Sequence, residues 1–430
     1  MRRNEFFRTV AGLVATTSML PAISLAERSR KGANEPAWPR PDADDEQFWS
    51  FVRSQFPLTN DRAYLNTGGL GASPYAVIDA VKAKIDELET ICETGHTDQV
   101  WMDVKLRVAR FFGCDVEEIA FMRNTTEGIN VVCNGLPLKR GDEIITSTHE
   151  HVANGMTWLW LKKRVGVEIN FFEPDITSAQ GNVDRIAKLI TKKTRLISIP
   201  HATTTTGQIF PIKEISKLAK SKSIWFFVDG AQTAGMFPFD LHDLGCDAWA
   251  SCGHKWLLGP KETGILYVRK DMLDVIEAKH IGAYSDSGVY DFERSELKLH
   301  PSAQRYEYGT VNVPMRIGLG AAIEFIQKIG IDTVWKRDRA LSTYLFDGLK
   351  KIPGVRVLSP ENAAERSAMV TFMHEQVPYL ELQRHLNKYK LRTRGVSEGG
   401  LAALRISSHI YNNFEELDRV LEGVRRVSKQ

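Results

Sequence analysis

The chain predicts an α/β fold, with a mostly parallel central sheet in a large domain and a smaller α+β domain at the C-terminal end. Three observations lead there. From Asp45 to about residue 315, short apolar runs alternate with helix-patterned stretches, the pattern of strands joined by helical crossovers. A chain of 430 residues, 43% hydrophobic and 25% charged, can bury a large core and build more than one structural unit. After Arg316 the alternation gives way to two helical patterns and then a mixed strand and helix segment.

The first 26 residues stand outside this scheme. Arg2, Arg3 and Arg8 make a basic start, and the uncharged run Thr9 to Ala26 ends in Ser24-Leu25-Ala26, which fits small-x-small cleavage. RRNEFFR resembles a twin-arginine export signal, although Asn4 and Glu5 both stand where one residue is usual. The expectation is an export signal over 1–26, a linker or tail over 27–44, and a periplasmic location. No later stretch is apolar for the roughly 18 residues that a spanning helix needs.

The elements of the large domain, 45–315, follow in order, with the small domain as the alternative home of its N-terminal segment. Ser73 to Ile91 reads as a helix, with Ser73 as cap, Pro74 in the first turn, and Val77, Ile78, Val81, Ile85 and Leu88 on one face. Strand-like runs are 119–122, 143–146, 168–172, 196–199, 224–228, 248–250 and 264–268, with helical stretches such as 183–190 and 212–221 between them. In a parallel sheet of this kind ligands gather in the loops after the carboxyl ends of the strands. Two helices, 317–329 and 333–351, open the second domain, 316–430.

Charge and cysteine content narrow the function. A formal net charge of +3 is too small to argue for nucleic acid or a polybasic membrane tether. The five cysteines, Cys92, Cys114, Cys133, Cys246 and Cys252, show no paired metal-type spacing, so neither a metal site nor a disulfide framework is expected.

Chemistry concentrates between Ile224 and Val268. IWFFVDGAQ places Asp229 at the end of a buried apolar run, where a carboxylate is costly unless paired. A protonated heteroaromatic nitrogen would be such a partner; capping of the next turn is the plainer alternative. Further on, SCGHKWLLGP places Lys255 after His254 in a glycine-bounded loop. A lysine in a loop is ordinarily a solvated surface charge.

Together VDGAQ (228–232), GHK (253–255), RNTTEGIN (123–130), HEHVAN (149–154), YEYGTVN (306–312) and LRISSHIYNNFEELD (404–418) resemble the class V aminotransferases. The likeness runs from Tyr64 to about Val427. It implies an aspartate aminotransferase-like fold of type I with pyridoxal 5′-phosphate as cofactor. Lys255 would carry the cofactor as a Schiff base and shuttle the α-proton. Asp229 would pair with the ring nitrogen, His151 stack on the ring, and Gln232 bond the phenolic oxygen. Thr125, Thr126 and His254 would hold the phosphate, helped by a helix N-terminus. Thr310 would reach the phosphate in a neighbouring subunit, which implies a homodimer with shared sites. Arg405 would clamp the α-carboxylate of an amino acid or peptide substrate.

Two positions depart from the desulfurase branch of the family: Cys252 stands where a phosphate-binding Ser or Thr is common, and Thr204 where an Asn is. RNTTE, HATTTTG and HKWLLGP look closer to the isopenicillin N epimerase-like branch. The reading is therefore chemistry at the α-carbon or amino group, as epimerisation or transamination. Tailoring of a peptide siderophore by an exported enzyme, or C–S lysis, are the alternatives. Cysteine desulfurase is set aside because no Cys follows Cys252 and the loop 392–404 has none.

Overall fold

The computed structural model describes residues 38–427. The expected export signal and most of the tail lie outside the described residues. Helix α1 (Glu46–Ser54), capped by the Asp45 side chain, leads to strand β1 (Ala63–Tyr64) and helices α2 (Tyr75–Ile91) and α3 (Asp98–Phe112). Alternation then follows: β2 (Ile119–Met122), α4 (Thr125–Gly135), β3 (Glu143–Ser147), α5 (Val152–Val165), β4 (Glu168–Phe172), α6 (Ala179–Leu189). It continues with β5 (Thr194–Pro200), α7 (Ile212–Ser221), β6 (Trp225–Asp229), α8 (Leu241–Leu244), β7 (Ala248–Cys252) and β8 (Gly264–Val268).

These strands form a seven-stranded sheet in the order β2-β8-β7-β6-β5-β3-β4. The pairs from β7 through β4 are parallel, whereas β8 runs antiparallel to both β7 and β2. The reason is local: residues 253–263 turn back at once and leave no room for the crossover a parallel neighbour requires. One face of the sheet, through Ala120, Leu196, Phe227, Ala250 and Leu266, packs on Ile129, Val132, Trp158 and Leu161 of α4 and α5. Full burial of each leucine, isoleucine, valine or phenylalanine among them contributes about 1.5–3 kcal/mol.

A hairpin, β9 (Asp286–Asp291) and β10 (Glu296–Leu299), precedes the long helices α9 (Val313–Ile329) and α10 (Ile331–Lys350). The remaining elements are β11 (Val355–Val357), β12 (Met369–His374), α11 (Tyr379–Lys388), β13 (Leu391–Arg392), β14 (Arg394–Val396), β15 (Ala403–Ser407) and α12 (Phe414–Val427). Strands β11, β12, β15 and β14 make an antiparallel sheet in that order. Its apolar face, with Val370, Phe372, Leu404 and Ile406, shares a core with Leu345 of α10 and Val420 of α12. Ala63 and Leu65 belong to this same core, and Ala63 pairs with Leu391 in parallel register. Residues 63–65 thus lie beside the C-terminal sheet, ahead of the first strand of the large one. No helix among the described residues is long and apolar enough to cross a membrane.

The start of α2 differs from expectation. Pro74 occupies the cap position without a side-chain bond, and the Ser73 hydroxyl donates instead to the Gly259 carbonyl at 3.0 Å. Ser73 therefore ties this segment to the loop that carries Lys255.

Candidate active site

Five loops leave the carboxyl ends of the parallel strands on one edge of the sheet, and they carry most of the motif residues. Residues after β2, β3, β5, β6 and β7 line a cavity of about 230 Å³, whose walls include Thr125, Thr126, His151, Thr204, Asp229, Cys252, His254 and Lys255. Gly68 and Gly69, from the N-terminal segment, and Arg394 of β14 complete it.

Lys255 is set by its backbone. The Gly71 amide donates to the His254 carbonyl at 2.7 Å, and a Cβ on Gly71 would stand 1.9 Å from the Lys255 carbonyl oxygen. Only glycine permits that approach. Asp229 ends β6, on the strand beside the one that leads into Lys255. It is 5% exposed and accepts from the Ala231 amide at 2.9 Å. Burial raises its pKa against the pull of Lys255.

His151 caps α5, and its Nδ1 accepts from the Ala153 amide at 3.2 Å. Burial, and next the charge of Lys255, push the imidazole down to about 4, so it is neutral at neutral pH. His254 is lowered to about 4 by the same two causes. Thr125 opens α4 behind the Asn124 cap, where first-turn amides lack helical partners. The Thr125 hydroxyl and His254 Nδ1 are buried without hydrogen-bond partners.

These groups fit pyridoxal phosphate. A buried carboxylate suits a protonated ring nitrogen, a neutral imidazole suits a flat ring, and helix-start amides with orphaned donors suit a phosphate.

Arg405 on β15 is fully buried. Its Nη1 donates to the carbonyl and hydroxyl oxygens of Thr204, both at 2.7 Å, and Nη2 to Asn66 Oδ1 at 3.3 Å. All three are neutral oxygens. Burial, then the charge of Arg394, lowers its pKa to about 9. A Cβ on Gly68 would meet Arg405 Nη2 at 2.8 Å, so the guanidinium lies directly behind the cavity wall.

Besides Arg405, two other expected site residues do not line this cavity. Gln232 sits behind the wall: its Nε2 donates to the Gly68 carbonyl and Thr204 Oγ1, and its Oε1 accepts from Trp256 Nε1. Thr310 lines a second cavity, with Arg123, Tyr308 and Arg316. Sequence reasoning missed Arg394, which lines the first cavity and pairs with Glu398, while its Nη1 is buried without a partner. It also missed Asn66. Neither residue sits in a motif with a chemical reading of its own.

The family model "Aminotransferase class-V" matches residues 77–420. A probable cysteine desulfurase of Pyrococcus abyssi is 30% identical over 396 residues, covering 88% of this chain and 97% of that one. The cysteine desulfurase of Haloferax volcanii is 28% identical, covering 85% and 89%. Among solved structures, apo cysteine desulfurase from Thermococcus onnurineus NA1 aligns with a TM-score of 0.78 at 27% identity, covering 88% of this chain and 98% of that one. A complex of the cystine C–S lyase C-DES with its product cysteine persulfide aligns with a TM-score of 0.79 at 26% identity, covering 86% and 99%.

The functional expectation is corrected by these relatives. Setting cysteine desulfurase aside in favour of epimerase-like chemistry at Cα conflicts with similarity to proteins of that name over most of the chain. The exclusion rested on one residue type missing from one loop, a weaker constraint than the whole fold and cofactor site. The chain belongs to the class V aminotransferase family and is a pyridoxal-phosphate enzyme.

Proposed function

We propose that this enzyme takes sulfur from cysteine or a closely related amino acid by breaking its Cβ–S bond. The observation that carries the reading is Arg405: a buried guanidinium held only by neutral oxygens, beside a lysine cavity, in a chain similar to cysteine desulfurases. Such a charge calls for an anion, and the α-carboxylate of an amino acid supplies one. The cofactor, when bound, provides the electron sink. Asp229 would keep its ring nitrogen protonated, His151 would lie against the ring, and Thr125, Thr126 and His254 would hold its phosphate. Lys255 Nζ would bind the cofactor and then move the Cα proton.

Of the five cysteines, Cys252 lines the cavity, but burial raises its thiol pKa and makes it a poor nucleophile. Sulfur would therefore pass to a small external thiol or leave as sulfide. The test is incubation with L-cysteine, L-cystine or S-methylcysteine, with and without dithiothreitol, measuring sulfide or released thiol, persulfide, alanine and pyruvate. Alanine with thiol-dependent sulfide supports transfer, and pyruvate with sulfide or released thiol supports elimination. Failure to release any sulfur product from all three overturns the reading.

Two further features belong to this proposal. Thr310 faces a cavity away from Lys255, as a residue serving a partner's site would, so the enzyme is read as a homodimer; a fully active monomer in sedimentation would refute that. Export is read from Arg2, Arg3 and the run to Ala26. Replacing both arginines by lysine should leave the protein in the cytoplasm.

A further inference from the structure

One buried ionisable pair outside the cavity reaches the lysine loop. His409, just beyond β15, and Asp338 of α10 are both fully buried. His409 Nδ1 lies 2.9 and 3.1 Å from the two Asp338 carboxylate oxygens, and Nε2 lies 3.0 Å from the carbonyl oxygen of Trp256, the residue after Lys255. A carbonyl oxygen only accepts, so Nε2 carries a hydrogen. A single proton lies between Nδ1 and Asp338 whichever group holds it, and in both cases Nε2–H remains the donor. Asp338 thus selects the ring state that grips the lysine loop, as an outer carboxylate fixes the tautomer of a histidine ligand.

The connections continue past Trp256. Its ring meets the His409 ring edge-on at 5.2 Å, and its Nε1 donates to Gln232 Oε1 at 2.9 Å. Gln232 Nε2 donates to Thr204 Oγ1 at 3.2 Å, and Thr204 accepts from Arg405 Nη1 at 2.7 Å. Arg405 and His409 lie on one short segment, so the circuit closes through the backbone. A packing role alone would not call for a buried acid and imidazole, since an apolar pair of like volume avoids their desolvation cost. The neighbouring charge, Arg337, is turned away to Glu46 and the Asn412 carbonyl.

We propose that His409, oriented by Asp338, is a positioning residue that fixes the Lys255–Trp256 peptide and ties the cofactor lysine to the arginine behind the substrate cavity. The proposal rests on Lys255 as the cofactor lysine but not on the sulfur chemistry.

Four single variants separate this role from simple support of the fold. His409→Gln keeps a donor near the Nε2 position, and Asp338→Asn can donate from its amide to Nδ1 and leave Nε2–H in place. His409→Asn is polar but too short to reach the Trp256 carbonyl, and Asp338→Ala removes the selection. The measurement is the rate at which stripped full-length protein takes up added pyridoxal phosphate, read by absorbance, beside urea unfolding of the same stripped protein. His409→Asn and Asp338→Ala should slow uptake by roughly 10- to 100-fold, the cost of misplacing a reacting group by about an ångström. His409→Gln and Asp338→Asn should stay within about 3-fold of wild type, because the donor survives. Wild-type uptake in His409→Asn overturns the proposal. So does equal slowing in His409→Gln and His409→Asn, or slowing that follows loss of stability across all four. Since no substrate is used, failure here leaves the sulfur reading to its own test.

Discussion

Replacing Arg405 by Met should separate binding from stability in one step. Met keeps most of the side-chain volume and removes the charge. In the native chain the guanidinium is fully buried and bonded only to Thr204 and Asn66, so the fold carries an uncompensated cation. Losing it strands acceptors at about 1–3 kcal/mol each, but it also removes a desolvation penalty of several kcal/mol. These oppose each other, and Thr204 Oγ1 keeps its bond from Gln232. Stability should therefore stay within about 2 kcal/mol of wild type. Binding has no such offset. A guanidinium fork on a carboxylate contributes about 2–3 kcal/mol, or roughly 30- to 150-fold in affinity. The assay is absorbance titration of the holoenzyme with L-alanine, which has the carboxylate but no sulfur to lose, alongside urea unfolding. Unchanged affinity for L-alanine would refute the carboxylate role. A loss of affinity matched by collapse of the fold would show that the arginine is structural.

Asp229→Asn keeps an acceptor for the Ala231 amide, so it should fold, yet lose about 100-fold or more in turnover; near wild-type turnover would remove the ring-nitrogen role. Lys105 and Glu307 form an ion pair at 2.7 Å with both side chains 4% exposed, so Lys105→Met should destabilise by about 3–5 kcal/mol in urea unfolding. Adding Glu307→Gln should recover part of that, and an additive double mutant would contradict it. His201 is buried and lowered to about 3 by burial alone. An unfolded histidine takes its proton near pH 6.5 and the native one does not until about 3, so stability is lost as pH falls through that window. His201→Leu should therefore shrink the stability lost between pH 7 and pH 4.5 by about 2–3 kcal/mol; an unchanged acid limb would refute it.

What the sequence revealed and concealed divides on physical lines. The apolar runs 119–122, 224–228 and 248–250 declare a buried sheet without a structure. The residues after them are legible because ligand loops follow strand ends. Orientation is harder: β8 has the composition of the parallel strands of the same sheet, and only the short return after Lys255 sets it antiparallel. Gln232 sits in a legible motif, yet its amide is consumed by Gly68, Thr204 and Trp256, which no spacing could show. Arg394 and the Asp338–His409 pair come together from distant segments with no period or motif to join them. The exclusion of cysteine desulfurase fails for a different reason: a Cys missing from the loop 392–404 weighs less than the resemblance of the whole chain to proteins of that name.

Lys255 is the residue around which the whole site is arranged. Reduction of the holoenzyme with borohydride, followed by proteolysis and mass spectrometry, fixes the cofactor to whichever lysine holds it. The phosphopyridoxyl group should appear on the peptide containing Gly253-His254-Lys255-Trp256, at Lys255, in one copy per chain. Its appearance on any other lysine would contradict the site built here from Asp229, His151 and the Gly71 contact.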